Sequence, residues 1–409
     1  MKVHHRPLTV LLTWELGDDL GHLGRLLPLA AKLQQRGHRV LLAARNLRRV
    51  GLVPPGLPVL PAPGLAAGSV ADRIREPATF ADILYNEGFT LPGMLDGAVR
   101  AWRDLISLVQ PDIVVQDFSP SCLLALQGLP IRSVLLGTGF ACPPDTPELP
   151  DIRAWQNHYP ERLQLTEQGV LEALNHQLER QRQPHLASIG ELYTRVDANC
   201  LATFAELDHY PQRPTAPGVA TAYCGVWSGL GGRQPNWPEG EGQRIFAYLK
   251  PFRGLNALLS QLQQSGHRAL VYLPGEDYRA RWQSDSLRIE DAPLDLEQVG
   301  TQCDLALLHA GHGSTATMLL AGKPVLQLPM NVEQYHTAQN TERLGAGLVA
   351  SLSEHASITT ALERMLASKD YRRAAADFSS RYSGYDSRQA LAVAADRILA
   401  CVREPKGEG

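Results

Sequence analysis

The stretch Leu305–Pro329, LALLHAGHGSTATMLLAGKPVLQLP, decides the fold class of this 409-residue chain. Leu305–Leu308 is a short, continuous apolar run, the pattern of a strand covered on both faces of a parallel sheet. It delivers His309 to a turn of small residues, and a helix begins directly after it. Leu320–Pro329 then reads as helix end, glycine C-cap, strand and proline stop. The same strand–turn–helix alternation recurs upstream, with Ile245–Leu249 as a strand, a helix through Leu255–Leu262, and Ala269–Leu273 as the next strand. It also opens the chain. Leu8–Thr13 reads as a strand, Gly17–Gly24 as a loop, and Leu26, Leu29, Ala30 and Leu33 as one face of a helix that Arg36-Gly37 ends before the strand Val40–Ala44. Ile113–Val115, Ser121–Gln127 and Ser133–Leu136 continue the series as strand, helix and strand. Such alternation predicts an α/β protein with doubly wound parallel sheets.

Pro211–Gly242 interrupts the series with five prolines and seven glycines and no sustained periodicity, so it reads as a linker. The expected organisation is a first domain over 1–225, a linker over 226–243, a second domain over 244–385, and a helix within 386–409 that packs back on the first domain. Two similar halves imply a cleft between them. The proline-initiated segment of about 145–183 carries an amphipathic helix at Leu163, Val170, Leu171, Leu174 and Leu178. It fits either an insertion over the cleft or plain packing helices.

Composition excludes several classes of function. With 39 Lys+Arg against 42 Asp+Glu, the net charge of −3 argues against nucleic acid or an anionic membrane as the main partner, since both call for a strongly basic surface. No apolar run approaches the roughly 18–20 residues of a transmembrane segment. Met1–Thr13 is basic and then apolar, but Glu15, Asp18 and Asp19 follow where a cleavage site belongs, so a first strand fits better than a signal peptide. The six cysteines form no CxxC pair, which argues against a zinc site and for free thiols in a reducing, cytoplasmic setting.

The turn His309–Thr315 carries the chemistry. A helix N-terminus offers unpaired N–H groups and a partial positive charge, and Gly311 and Gly313 let an anion approach the backbone. Ser314 and Thr315 add hydroxyls. A plain capping turn uses the same residues, and the pattern is neither a Walker loop nor a GxGxxG fingerprint. Downstream stand Ala321-Gly322-Lys323-Pro324, Pro329, Glu333-Gln334 and Asn340. With these residues in order, the chain resembles the family 1, nucleotide-sugar-dependent glycosyltransferases of GT-B fold (the UDP-glycosyltransferase type). The first half is similar to the same family through Gly21-His22, Leu29-Ala30, Leu33, Arg36-Gly37-His38 and Val40.

The resemblance implies two Rossmann-like domains facing each other across a cleft and an inverting, metal-independent hexosyltransferase without a cofactor. A UDP- or dTDP-sugar would be the donor, and a hydroxyl-bearing small-molecule or lipid-like compound the acceptor. His22 takes the place of the general base, and Asp117, 95 positions on, that of its orienting carboxylate. His309, Gly311, Gly313, Ser314 and Thr315 would hold the diphosphate, Glu333 and Gln334 the sugar, and Pro293 would lie by the nucleobase. Asp291-Ala292-Pro293-Leu294 lacks the family's tryptophan, Thr317 replaces a ribose-binding glutamate, and Arg25 replaces a proline. Lys250 and Arg253, after the first strand of the second half, stand where a Gly-Ser loop is usual and offer cations to the diphosphate. Two other readings use the same fold: a nucleotide-sugar 2-epimerase, and a non-catalytic nucleotide-sugar-binding helper protein. Asp18-Asp19 reads as a polar loop rather than a metal-binding pair, and His312 as a surface or capping residue.

Overall fold

The computed structural model describes residues 6–18, 20–65, 73–211, 213, 220–227, 229, 231–275 and 278–402. They form two compact units. One holds Met1–Phe204, Tyr210–Gly225 and Arg388–Gly409, the other Ala205–His209 and Val226–Ser387.

The first unit carries, in chain order, β1 (Thr9–Trp14), α1 (Gly21–Gln35), β2 (Arg39–Ala44), β3 (Val59–Pro61), α2 (Phe80–Asn86), α3 (Met94–Val109), β4 (Ile113–Asp117), α4 (Pro120–Ala125), β5 (Arg132–Gly137), α5 (Pro160–Arg180), β6 (Ala198–Leu201) and β7 (Ala220–Tyr223). Its strands form one parallel sheet in the order β3-β2-β1-β4-β5-β6-β7. The strand order reverses between β1 and β4, and at such a point the carboxyl ends of the strands open a crevice for ligands. The central strands are mostly apolar because helices cover both faces: β4 is buried from end to end, including Gln116 and Asp117 at its close. On α3, Leu95, Val99, Trp102, Ile106 and Val109 recur at helical spacing and are all buried.

In the second unit follow β8 (Arg244–Tyr248), α6 (Leu255–Gln264), β9 (Arg268–Tyr272), α7 (Tyr278–Trp282), β10 (Leu287–Glu290), α8 (Leu296–Gln302), β11 (Leu305–Leu308), α9 (His312–Leu320), β12 (Val325–Gln327), α10 (Val332–Arg343), β13 (Gly347–Val349), α11 (His355–Ala367) and α12 (Asp370–Arg381). Its parallel sheet runs β10-β9-β8-β11-β12-β13, the same order as in the first unit, with its reversal between β8 and β11. Ile245, Leu258, Leu259, Leu307, Leu326 and Ile358 are among its core residues.

Several boundaries differ from the sequence expectation. The helix α1 begins at Gly21, so His22 and Gly24 belong to a helix and not to the expected loop. The segment Ala205–His209 groups with the second unit: the Asn340 side chain donates to Asp208 O (3.0 Å) and the Tyr382 hydroxyl to Glu206 (2.6 Å). The described part of the proposed linker is also docked there. Arg233 bridges Leu294, and Trp237 Nε1 donates to Gln302 at 2.8 Å. Residues 212, 214–219, 228 and 230 of that segment lie outside the described residues. The amphipathic helix of the 145–183 segment, α5, buries Val170, Leu174 and Leu178 in the core of the first unit, and Arg162 pairs with the buried Asp82 of α2. The last helix, α13 (Ser387–Ala400), lies with the first unit from Arg388 on, where Asp396 pairs with Arg36 at the end of α1 (2.8 Å). Five of the six free cysteines are buried. Among the described residues no helix is long and apolar enough to cross a membrane.

Candidate functional site

In the first unit a cluster forms where the strand order reverses. Trp14 and Asp117 end β1 and β4 and are partners in register. His22 and Arg25 lie three residues apart on α1, hence on one face, and both reach Asp117. His22 Nδ1 is 3.0 Å from Asp117 Oδ1, while Arg25 donates to the carboxylate through Nε (3.1 Å) and Nη2 (3.0 Å). Arg25 Nη2 also stands 3.2 Å from His22 Nδ1. Burial alone would drive the Asp117 carboxyl upward; the Arg25 guanidinium and then His22 outweigh it and hold it below the usual carboxylate range.

The His22 ring stacks on Trp14, centroids 5.2 Å apart and planes 18° apart. Its other nitrogen faces Gly17: a Cβ placed on that glycine would lie 2.7 Å from Nε2, and the glycine has a φ of +81°. Gly17 is held by its neighbours, since Trp14 Nε1 donates to the carbonyls of Leu16 (2.8 Å) and Gly17 (3.1 Å) and Leu16 N–H to Phe118 O (2.9 Å). Gly17 and Arg25 are the residues that sequence reasoning missed as members of this cluster. Arg25 showed only as a departure from the family, and Gly17 only as a loop glycine.

The same loop contains a buried carboxylate. Glu15 accepts hydrogen bonds from the Ser121 hydroxyl (2.6 Å) and the Ser121 N–H (3.0 Å). Ser121 Oγ in turn accepts from Trp102 Nε1. Burial pushes the Glu15 carboxyl from 4.5 up to about 7, against the pull of these bonds. A carboxyl raised in the folded state binds its proton more tightly there, so its stabilising contribution is complete below about pH 4.5 and is lost as the pH rises through 7. The loss is on the order of 3 kcal/mol, at about 1.4 kcal/mol per pKa unit. Urea unfolding at a series of pH values should show Glu15→Gln gaining on the wild type between pH 5 and 8. A stability difference that stays constant with pH would refute the assignment.

The second cluster lies where β8 and β11 adjoin. Leu308 and Tyr248 are partners in register, so His309 and Lys250 follow neighbouring strand ends. His309 is buried, with Nδ1 3.3 Å from Tyr248 O and its ring edge-on to that of Tyr248 at 4.5 Å. Gly311 N-caps α9 with no side-chain hydrogen bond, and a Cβ there would stand 3.3 Å from His309 Nε2. Around Gly313 a Cβ would meet nothing, so the backbone at the helix start is open to approach. Ser314 is half-buried; Thr315 is fully buried and accepts from Gln327 (3.2 Å), which ties this turn to β12.

Asn331 accepts from Gln334 N–H while Gln334 Oε1 accepts from Met330 N–H (2.8 Å), so Gln334 caps α10. Glu333 sits half-buried in the same first turn. The Pro293 carbonyl accepts from Arg233 N–H, and the Arg233 carbonyl from Asp295 N–H, a short bridge that occupies the backbone on either side of Leu294. The Thr317 hydroxyl is bonded to Gly313 O of its own helix (2.9 Å). Contrary to expectation, His312 is buried, its ring 5.5 Å from that of His209. Asp18 stands 3.9 Å from Arg45, and Asp19 lies outside the described residues. Among the described residues no three His, Cys, Asp or Glu side chains gather as metal ligands.

A feature of the backbone links the two clusters. Phe118 (φ +50°) and Ala310 (φ +57°) adopt left-handed conformations without being glycine, one directly after Asp117 and the other directly after His309. Each precedes the helix that follows the fourth strand of its unit. Such conformations persist only where the surroundings impose them, and they gather at functional sites.

No family model matches the chain. It is 32% identical over 78 residues to a sterol 3-beta-glucosyltransferase of Vanderwaltozyma polyspora, a stretch that covers 19% of this chain and spans 6% of that relative. Among solved structures it is similar to the calicheamicin glycosyltransferase CalG4 (TM-score 0.70, 18% identity, 98% of this chain and 100% of that one). The glycosyltransferase SsfS6 of Streptomyces sp. SF2575 gives a TM-score of 0.63 at 19% identity over 95% and 99% of the two chains. The glycosyltransferase VinC, solved in complex with dTDP, gives 0.64 at 15% identity over 97% and 100%. These likenesses establish the GT-B fold, with two Rossmann-like units, for nearly the whole chain.

Proposed function

We propose that the chain is an inverting, metal-independent glycosyltransferase that moves a sugar from a nucleoside-diphosphate sugar to a hydroxyl of a small-molecule or lipid-like acceptor. The observation that carries this reading is the His22–Asp117 pair, whose imidazole shows its second nitrogen to a glycine. In the proposed reaction His22 Nε2 takes the acceptor's proton as the hydroxyl oxygen bonds to the anomeric carbon. The bond from that carbon to the diphosphate oxygen breaks, and the nucleoside diphosphate leaves with the electron pair. One direct displacement inverts the anomeric centre. Asp117 holds the imidazole with its proton on Nδ1 and stabilises the imidazolium that forms.

Charge grows on the leaving diphosphate. The N–H groups at the start of α9 and the small residues Gly311, Gly313, Ser314 and Thr315 suit that charge, with His309 and Lys250 as further donors. Glu333 has its carboxylate for sugar hydroxyls; Gln334, which already caps α10, contributes less. The donor's nucleoside is proposed to be uridine or thymidine, lying by Pro293. The dTDP complex of VinC supports a thymidine donor, and the sterol glucosyltransferase relative supports a lipid-like acceptor.

A thermal-shift panel of nucleoside diphosphates and their sugars tests the reading, because a ligand that binds only the folded state raises the melting temperature. UDP or dTDP should raise it, and neither doing so would end the proposal. Calorimetry then locates the site. Removing a hydrogen bond to a charged group costs about 1.5–3 kcal/mol, so His309→Ala should bind the responding nucleotide roughly 10- to 100-fold more weakly. Unchanged affinity would remove His309 from the diphosphate site. Transfer that persists in excess chelator would support metal independence.

A further inference from the structure

Arg25 touches both His22 and Asp117, yet the transfer step itself gives it no role. We propose that Arg25 is a positioning residue that offsets part of the charge of Asp117, so that His22 meets the acceptor as an uncharged imidazole while Asp117, bonded at Nδ1, still supports the imidazolium that forms. This rests on the reading of His22 as the base.

The guanidinium reaches the Asp117 carboxylate at 2.9 Å and His22 Nδ1 at 3.2 Å, while the carboxylate itself is 3.0 Å from Nδ1. A fixed positive charge therefore stands about as near the ring as its negative partner. In a bare carboxylate–histidine pair the acid makes the imidazole readier to hold a proton. Here the two ions oppose each other, and an imidazole that is to accept a proton must first be without one. Arg25 is suited to this because a guanidinium stays charged at every working pH and its planar fork fits both carboxylate oxygens. Its side chain is only 16% exposed and that of Asp117 is wholly buried, so water does little to screen the interaction.

Among the described residues, the other groups around the ring are these. Trp14 and Phe118 present uncharged rings. On the loop after β1, Glu15 is turned onto Ser121 and Cys122, and Asp18 stands by Arg45. Asp117, from the end of β4, is the anion in contact with His22, and Arg25, from the same helix as His22, is the cation.

The test is an NMR titration of the full chain, following imidazole 15N shifts. His22 is identified among 13 histidines as the signal missing from His22→Ala. Neutralising a charge at this distance moves a neighbouring group by about one pKa unit or more. In Arg25→Met the His22 midpoint should therefore rise by at least that much, and in Arg25→Lys, which keeps the charge, it should stay near the wild-type value. Arg25→Gln, which retains a donor to Asp117 without the charge, serves if the methionine variant does not fold, and should shift the midpoint in the same direction. An unmoved or lowered midpoint in the neutral variants overturns the proposal. Once a donor and an acceptor are known, the acid limb of kcat/KM should follow the NMR midpoint. A uniform loss of activity at every pH, with the midpoint unmoved, would make Arg25 purely structural. The titration does not require transfer activity: a wild type that transfers no sugar defeats the reading of His22 as base, and the midpoints still decide whether Arg25 sets its charge.

Discussion

His22→Ala is expected to transfer sugar about 1000-fold more slowly than the wild type, the middle of the range for losing a general base. Nucleotide affinity should change by less than about twofold, because the groups proposed to hold the diphosphate belong to the second unit. The substitution is a clean one on physical grounds. Removing one partner of a buried ion pair is destructive when it strands the other charge. Here Asp117 keeps its bonds to Arg25, so the variant should fold and unfold much as the wild type does. Asp117→Ala has no such protection, since it strands the guanidinium. Turnover in His22→Ala within a few-fold of the wild type would eliminate the proposed base. Where turnover is lost, calorimetry on the same preparation separates loss of the base from simple misfolding, since only a folded variant still binds nucleotide.

Gly17→Ala is the second large effect, and it is reached without touching an ionisable group. A side chain at φ +81° costs roughly 1–2 kcal/mol by itself. Its Cβ would also lie 2.7 Å from His22 Nε2, closer than real Cβ atoms come to other heavy atoms. The ring has little freedom to yield, stacked on Trp14 and bonded to Asp117, and the loop is bonded to Trp14 and Phe118. Relief in any direction moves Nε2 or covers it. A displacement of about 1 Å at a reacting group can cost 100-fold, so kcat should fall at least that far with nucleotide affinity preserved. Gly21→Ala is the control: its Cβ would make an ordinary 3.6 Å contact with Arg25. If Gly17→Ala turned over like the control, Nε2 would not be the atom that meets the acceptor.

The fold was legible because parallel strands buried on both faces have few polar positions to obscure them. β1, β4, β8 and β11 all stand out as unbroken apolar runs. Their ends were read less well. Asp117 lies two residues beyond the apolar run Ile113–Val115, since polarity marks the place where a strand emerges at a site, and Trp14 lies one residue beyond the run Leu8–Thr13. The start of α1 was missed for a related reason, because two glycines and no capping side chain precede its apolar face. The capping role of Gln334 could have been found, as Asn331 followed three residues later by Gln334 is an N-terminal capping pattern. The pairing of His22 with Asp117 came from family resemblance alone, since 95 residues of sequence carry no local sign of it. Arg25 was visible only as an odd residue, and nothing in the sequence distinguished Gly17 from an ordinary turn glycine. The docking of Ala205–His209 on the second unit had no signal at all, because it depends on partners more than a hundred positions away.

The return of Arg388–Gly409 to the first unit has a consequence for how the protein is made. A growing chain that folds as it emerges can assemble its first sheet early, but the contact at the end of α1 must wait for Asp396. The unit that carries His22 and Asp117 is therefore started first and finished last, after the whole second unit has been synthesised inside it. A frameshift or stop codon near residue 387 would spare the proposed nucleotide-binding unit and strike the unit that carries His22 and Asp117.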